Sequence, residues 1–388
     1  MAFEFLVPVA DEVIATNEVR SEQCLGKQML IHTKEDGVPD LEGVHIVLLG
    51  VREQRNNLSQ KGKVIVNFDS IRASFYSLFP GNWSLNFADL GDVLPGDEVS
   101  DTYFVVREVV STLLQKNIIP LIMGGSQDIV YAQYRSYDIL ERMVNLVNVD
   151  SQFDIGNAAE PISNKSFVSK IIVEEPYNLF NYSNIGYQTY FNSQDEIDLI
   201  EKLYFDAYRL GEVINDVTIV EPIMRDADIV AIDLGAISSN ASGANIASPN
   251  GFNGREICAI ARYAGISDKV KSFGVYEFQN NQNDTARAML VAQIFWYFIE
   301  GVNYRSNEIN IKSDKNTLHY SVPIDKEVLS FYKSIKTERW WIEIPFLSSG
   351  HNKLERHTLL PCTYSDYERA CNQEIPERWY KAKRKNEV

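Results

Sequence analysis

Five short apolar runs, most of them closing on a glycine or an acid, constrain this chain more than any other feature. They cover 44–50, 118–123 (followed by Gly124-Gly125), 144–150, 228–233 and 270–278. Apolar runs of this length read as strands buried on both faces of a parallel sheet. Between them lie stretches with apolar residues at helical spacing: 101–116, carrying Val105, Val106, Val109, Val110, Leu113 and Leu114, then 129–142, 194–210, 254–263 and 284–299. Such alternation implies a parallel sheet covered on both faces by helices. The ligand site of such a sheet lies outside the carboxyl ends of its strands. Gly124-Gly125, Asp150, Asp233 and Glu277 all fall at predicted strand ends, so the pattern gathers them in one crevice.

After Gly301 the sequence turns more polar, and 302–388 reads as an extension packed on a main domain of 1–301. It holds two strand-like pieces, 317–322 and 339–344. The second contains Trp340-Trp341, read as one core-facing and one surface ring. The basic end, 378–385, reads as a frayed, solvated terminus.

A net charge of -16 repels phosphate backbones and argues against nucleic acid as a partner. Cys24, Cys258, Cys362 and Cys371 are scattered without C-x-x-C spacing, which suggests a reducing compartment, the cytoplasm; Cys362 and Cys371 read as inert thiols. The opening Met-Ala-Phe-Glu-Phe-Leu-Val-Pro lacks the basic region of a signal peptide. No apolar run approaches the roughly 18 residues of a membrane span. The five histidines are His32, His45, His319, His351 and His357. None lies between 46 and 318, so a serine nucleophile in the core would lack an imidazole base.

Five motifs then carry a resemblance: Asp89-Leu-Gly-Asp-Val93, Gly124-Gly-Ser-Gln-Asp-Ile129, Asp150-Ser-Gln-Phe-Asp154, Ala231-Ile-Asp-Leu-Gly235 and Gly274-Val-Tyr-Glu-Phe278. In this order and spacing, over about 44–300, the chain resembles the ureohydrolase superfamily of arginases, agmatinases and formimidoylglutamases. The stretch Asn178-Leu-Phe-Asn-Tyr-Ser-Asn-Ile-Gly-Tyr-Gln188 is most similar to the formimidoylglutamase branch. The resemblance implies a three-layer α/β/α sandwich with a mainly parallel sheet. It also implies two manganese ions sharing a bridging hydroxide, held by two His and four Asp.

Residue by residue, the match is incomplete. The Gly-Gly-Asp-His ligand position is Gln127, the His of Asp-Ala-His-x-Asp is Gln152, and the second Asp of Asp-x-Asp is Gly235. Asp150, Asp154 and Asp233 are kept, and Glu277 matches the family's substrate-facing glutamate, with Asp154 and Glu277 the vestigial catalytic candidates. An amide oxygen is a weaker transition-metal ligand than imidazole, and glycine offers no side-chain ligand. One metal position thus keeps only the shared Asp150 and Asp233 and is expected to be empty. The other keeps Asp150, Asp154 and Asp233 with Gln127. The cofactor expectation is therefore none, or at most one weak divalent cation (Mn, Mg or Ca). Carboxylates clustered without a cation repel one another and need a protonated or basic partner. Asp128 reads as a helix cap rather than a substitute ligand. His351 and His357, in the extension, are the imidazoles considered as replacement ligands delivered to the crevice.

The expected function is a ureohydrolase-fold pseudoenzyme with a scaffold or protein-interaction role. The alternatives are a metal-dependent hydrolase of C–N bonds in guanidino or formimidoyl substrates, and a small-molecule sensor. As family context, genes for such proteins in Bacteroidota often lie near gliding and type IX secretion genes, so components of those systems are expected protein partners. A homo-oligomer is also expected, because family members are commonly trimers or hexamers.

Overall fold

The computed structural model describes residues 2–58, 66–239, 248–279, 285–308, 310–345 and 358–387. Its main sheet has ten strands: β1 (Leu6–Val7), β2 (Met29–Ile31), β3 (Ile46–Val51), β4 (Phe87–Val93), β5 (Ile119–Gly124), β6 (Val144–Val149), β7 (Leu179–Tyr187), β8 (Asp206–Arg209), β9 (Ile229–Asp233) and β10 (Ser272–Tyr276). The order is β1-β4-β3-β5-β10-β9-β6-β7-β8, with β2 also on β4. Only β1 runs antiparallel.

The central strands look uniformly apolar because each feeds two cores. Ile46 and Leu48 of β3 join one core, with Phe75 from the helix Asp69–Tyr76 and Phe295 and Phe298 from the helix Thr285–Asn303. Val47, Leu49 and Val51 join the other, with Val106, Val109, Val110 and Leu113 from the helix Val99–Gln115. A period of two with apolar side chains on both faces is what a sheet between helix layers requires. Reciprocal capping by Glu98 and Asp101 fixes where the last helix starts. The fold is therefore the expected α/β/α sandwich.

Two predicted helices are shorter than their patterns. The one starting at Ile129 ends at Arg135. The one starting at Gln194 ends at Lys202, because Tyr204 takes a left-handed φ of 56° and turns the chain into β8, which pairs with β7.

The C-terminal part builds a second, antiparallel sheet in the order β11 (Thr317–Ile324), β12 (Glu327–Ser334), β13 (Trp340–Glu343), β14 (Leu359–Cys362). Both tryptophans are buried, contrary to the one-in, one-out expectation. Trp340 stacks in an aromatic group with Tyr320 and Tyr367. Trp341 lies against the Arg225 guanidinium, 4.5 Å from its ring centre. The same arginine donates to the Trp340 and Cys362 carbonyls, tying the second sheet to the core. The basic end is not a frayed tail. It forms the helix Glu377–Glu387, with Trp379 buried and donating to the Glu343 carbonyl, and with Lys381 3.4 Å from Asp206. An indole anchor and a half-buried acid explain why this end docks. None of the described helices is long and apolar enough to cross a membrane.

Candidate functional site

The carboxyl ends of β5, β6, β9 and β10 lie side by side in the sheet, so the residues that follow them meet. Asp150 follows β6, Asp233 ends β9, Glu277 follows β10 and Gln127 lies three residues beyond β5. All are buried, as is Asp154.

Backbone approach sets the cradle. A Cβ on Gly125 would lie 2.3 Å from the Glu53 carbonyl oxygen, and one on Gly124 would lie 2.1 Å from the Tyr276 ring. The double glycine is thus needed for packing between neighbouring strand ends, and phosphate binding is not required to explain it. Glu277 has a left-handed φ of 63°, and its N–H donates to the Gly125 carbonyl at 2.7 Å. Asp154 also has a left-handed φ, 54°. Non-glycine residues held there cost on the order of 1 kcal/mol or more and gather at functional sites. The loop carrying Asp154 is braced by Asn192, which accepts from the Phe153 N–H and donates to the Ser151 carbonyl.

Glu277 is fixed by three donors: the Gln127 N–H at 3.0 Å, Asn57 Nδ2 at 2.5 Å and Asn164 Nδ2 at 3.2 Å. Gln127 turns its Nε2 to Asp150 (2.8 Å) and Asn148 (3.0 Å), leaving its Oε1 buried without a partner. Gln152 gives Asp150 only a backbone N–H, at 3.0 Å, and its side chain is half-buried. At Gly235 the backbone N–H donates to Asp233 Oδ1 at 2.6 Å. A Cβ there would stand 3.1 Å from that same oxygen.

Lys165 was not singled out by the sequence. Its Nζ lies 3.4 Å from Asp154 Oδ1 and 3.9 Å from Asp233 Oδ2. It is the basic partner that clustered carboxylates demand. Burial works against its charge, but Asp154, Asp150, Asp233 and Glu277 outweigh burial and hold its pKa above the usual lysine value. One ammonium does not balance the group. Burial, then repulsion from Asp150, raises the pKa of both Asp154 and Asp233, with Lys165 only partly opposing. Burial also raises Glu277, against the Gln127 N–H. Among the described residues Asp154 Oδ2 accepts no hydrogen bond from an N–H or hydroxyl donor.

Asp128 does not cap, contrary to its sequence reading. It stands at the N-cap position of the helix Ile129–Arg135 without a capping bond, and its carboxylate accepts from Ser126, Tyr103 and Asn56. Burial raises its pKa against those donors. Of the cysteines, Cys24, Cys258 and Cys362 are buried and Cys371 is exposed, all as free thiols. His351 and His357 lie outside the described residues.

A parallel sheet between helix layers, with a carboxylate cluster at its strand ends, is the arrangement that the ureohydrolase resemblance implies. The Arginase family model matches residues 45–300, and the chain belongs to that family. Formimidoylglutamase of Streptococcus gordonii is 22% identical over 296 residues, covering 70% of this chain and 88% of its own. Trypanosoma cruzi formiminoglutamase, solved with Mn2+2, superposes with a TM-score of 0.61 at 15% identity, covering 69% of this chain and 96% of its own. Formimidoylglutamase of Bacillus subtilis gives 0.60 at 17% identity, covering 70% and 91%. The expected formimidoylglutamase-like relationship stands.

These likenesses correct the expectation of no cofactor, or at most one weak divalent Mn, Mg or Ca ion. The family model spans the whole motif-bearing region, and the T. cruzi relative is a manganese-bound structure. That expectation counted lost ligands and gave too little weight to the uncompensated acids that remain. The donor set suits a hard cation: three buried carboxylates beside an amide oxygen, with Asp154 Oδ2 and Gln127 Oε1 both orphaned. A half-turn of the Gln127 amide would present its oxygen to the cluster, losing its bonds to Asp150 and Asn148. Among the described residues no three His, Cys, Asp or Glu side chains already stand as a closed ligand set. Lys165 lies among the carboxylates, in contacts longer than the roughly 2.7–2.9 Å of a tight charge-assisted bond.

Proposed function

We propose that this chain hydrolyses the C–N bond of a linear amidine, a formimidoyl or guanidino compound, with manganese held by Asp150, Asp154 and Asp233 and the Gln127 amide oxygen. The observation that carries this reading is the charge imbalance: four buried carboxylates face one lysine, and an oxygen of Asp154 is left without a partner. Membership in the arginase family and the formimidoylglutamase relatives support the reaction class. Bound manganese supplies a water of lowered pKa, a nucleophile near neutral pH. The chain's own residues orient the substrate. Glu277, fixed by Asn57, Asn164 and the Gln127 N–H, offers a carboxylate to a cationic amidinium. Burial of these groups excludes water and strengthens that attraction.

A second reading, a pseudoenzyme acting as a scaffold or sensor, is favoured by one observation. Lys165 stands among the carboxylates while Gln127, Gln152 and Gly235 occupy three ligand positions. One assay separates the two readings. Manganese-supplemented protein is offered formimidoylglutamate, arginine and agmatine. Release of formamide or urea that disappears in Asp154→Asn supports the hydrolase. No release from any of the three, with manganese bound, leaves the scaffold or sensor.

A further inference from the structure

At the opposite end of the sheet, a cavity of about 490 Å³ lies between the core and the second sheet. Its core wall comes from segments just before β6, β9 and β10. Its other wall comes from Glu308, from residues 310–313 and from Trp341, Leu359 and Pro361 of β13 and β14. This volume is in the range of small-molecule pockets. It shares no residue with the carboxylate site.

The lining is cationic in a chain whose net charge is -16. Arg142, Arg225, Lys269, Lys271, Lys312 and Arg339 line it, against the acids Asp226, Asp268 and Glu308. Those acids are already engaged. Asp226 holds Lys269 at 2.9 Å. Asp268 accepts the N–H groups of Asn307 and Glu308. Glu308 accepts from Thr337 and lies 3.6 Å from Arg339. Arg142 is paired with Asp228 at 2.9 Å and Lys312 with Glu343 at 2.6 Å.

One donor is left over: the Lys271 ammonium makes no ion pair or hydrogen bond among the described residues. Arg225 Nε also lacks a partner there, but it is shielded from the cavity. Burial, then repulsion from Arg305 and Arg142, pushes the Lys271 pKa down, against weaker attraction from Asp268 and Asp228. A half-buried ammonium set among other cations is unfavourable unless an anion joins it. The other lining cations are ion-paired, Arg142 with Asp228, Lys312 with Glu343, Lys269 with Asp226, and Arg225 and Arg339 with Glu221, so Lys271 is the cation left for an arriving anion.

We propose that this cavity binds a small organic anion, one whose phosphate or carboxylate group pairs with Lys271. Ile311, Leu359 and Pro361 give its carbon skeleton an apolar wall.

The test is calorimetric titration of the full-length chain with phenyl phosphate and, separately, phthalate, in a buffer free of both anion types. Saturable binding of at least one probe is expected, and the tighter probe identifies the headgroup. Lys271→Ala should weaken it at least about tenfold, the worth of one charge-assisted hydrogen bond. Lys271→Gln, which keeps the stem and removes the charge, should do the same. Because Lys271 has no internal partner, both variants should melt no lower than the parent. Failure of both probes to saturate, or unchanged binding in either Lys271 variant, overturns the proposal.

Discussion

On β4, Asp89 and Asp92 are matched by Arg72 and Arg52. Around β6, β9 and β10, Asp150, Asp154, Asp233 and Glu277 share one basic side chain among the described residues, Lys165. Both groups are buried on the same sheet. In the first, Arg72 donates to Asp89 at 2.8 Å and lies 2.8 Å from Asp92. Tyr76 and the Gly91 N–H donate to Asp89, and Arg52 donates to Asp92. Charges are equal in number and Asp89 has a donor on each oxygen. In the second, acids outnumber the base and contacts to Lys165 are loose. Among the described residues Asp154 Oδ2 lacks a hydrogen bond, but so does Asp92 Oδ1 in the first, so charge balance and not an orphaned oxygen separates the two. The difference teaches that the balanced cluster serves stability while the unbalanced one carries an uncompensated cost. Unfavourable arrangements that persist inside an otherwise consistent fold gather at functional sites.

The same kind of substitution should therefore have opposite effects in the two groups. Asp89→Asn leaves Arg72 buried with too little negative charge, and breaking a buried pair costs about 3–5 kcal/mol. Urea denaturation should show a loss of that order. A loss under about 1 kcal/mol would mean that the β4 cluster is not structural in this sense. Next in size is Lys165→Met, which removes the ammonium competing with a cation. Manganese affinity should rise about tenfold, the effect of roughly 1.4 kcal/mol. Unchanged or weaker affinity would show that Lys165 supports the metal rather than competing with it. The smallest effect is Asp154→Asn in metal-free protein. Removing a repelled carboxylate should raise the unfolding free energy by about 1 kcal/mol, as replacing strained functional residues commonly does. Destabilisation of the size seen at Asp89 would erase the contrast between the clusters.

Much of this site was legible in the sequence. Gly124-Gly125, Asp150, Asp233 and Glu277 announce themselves because a buried parallel strand is an apolar run whose end is marked by a change of residue type. Lys165 could not be found that way. It lies between Gly156 and the helix Phe167–Val173, where no periodicity signals a fold and a lysine reads as solvated. Only the tertiary arrangement carries it to Asp154. Asn57 and Asn164 escaped for the same reason, since both reach Glu277 across long sequence separations. The one available hint was the demand of three clustered acids for a basic partner. In the C-terminal part, burial of both Trp340 and Trp341 reflects Arg225, a cation from the core that covers the outward ring and that no local pattern reveals.

The central claim is that the Asp150–Asp154–Asp233 cluster is a manganese site. Equilibrium dialysis of the full chain against Mn2+, with bound metal measured by mass spectrometry, tests it directly. Manganese should be retained by the parent protein and lost in the Asp154→Asn, Asp233→Asn double variant, with both proteins folded. Retention of equal manganese by parent and variant, or of none by the parent, would contradict the account.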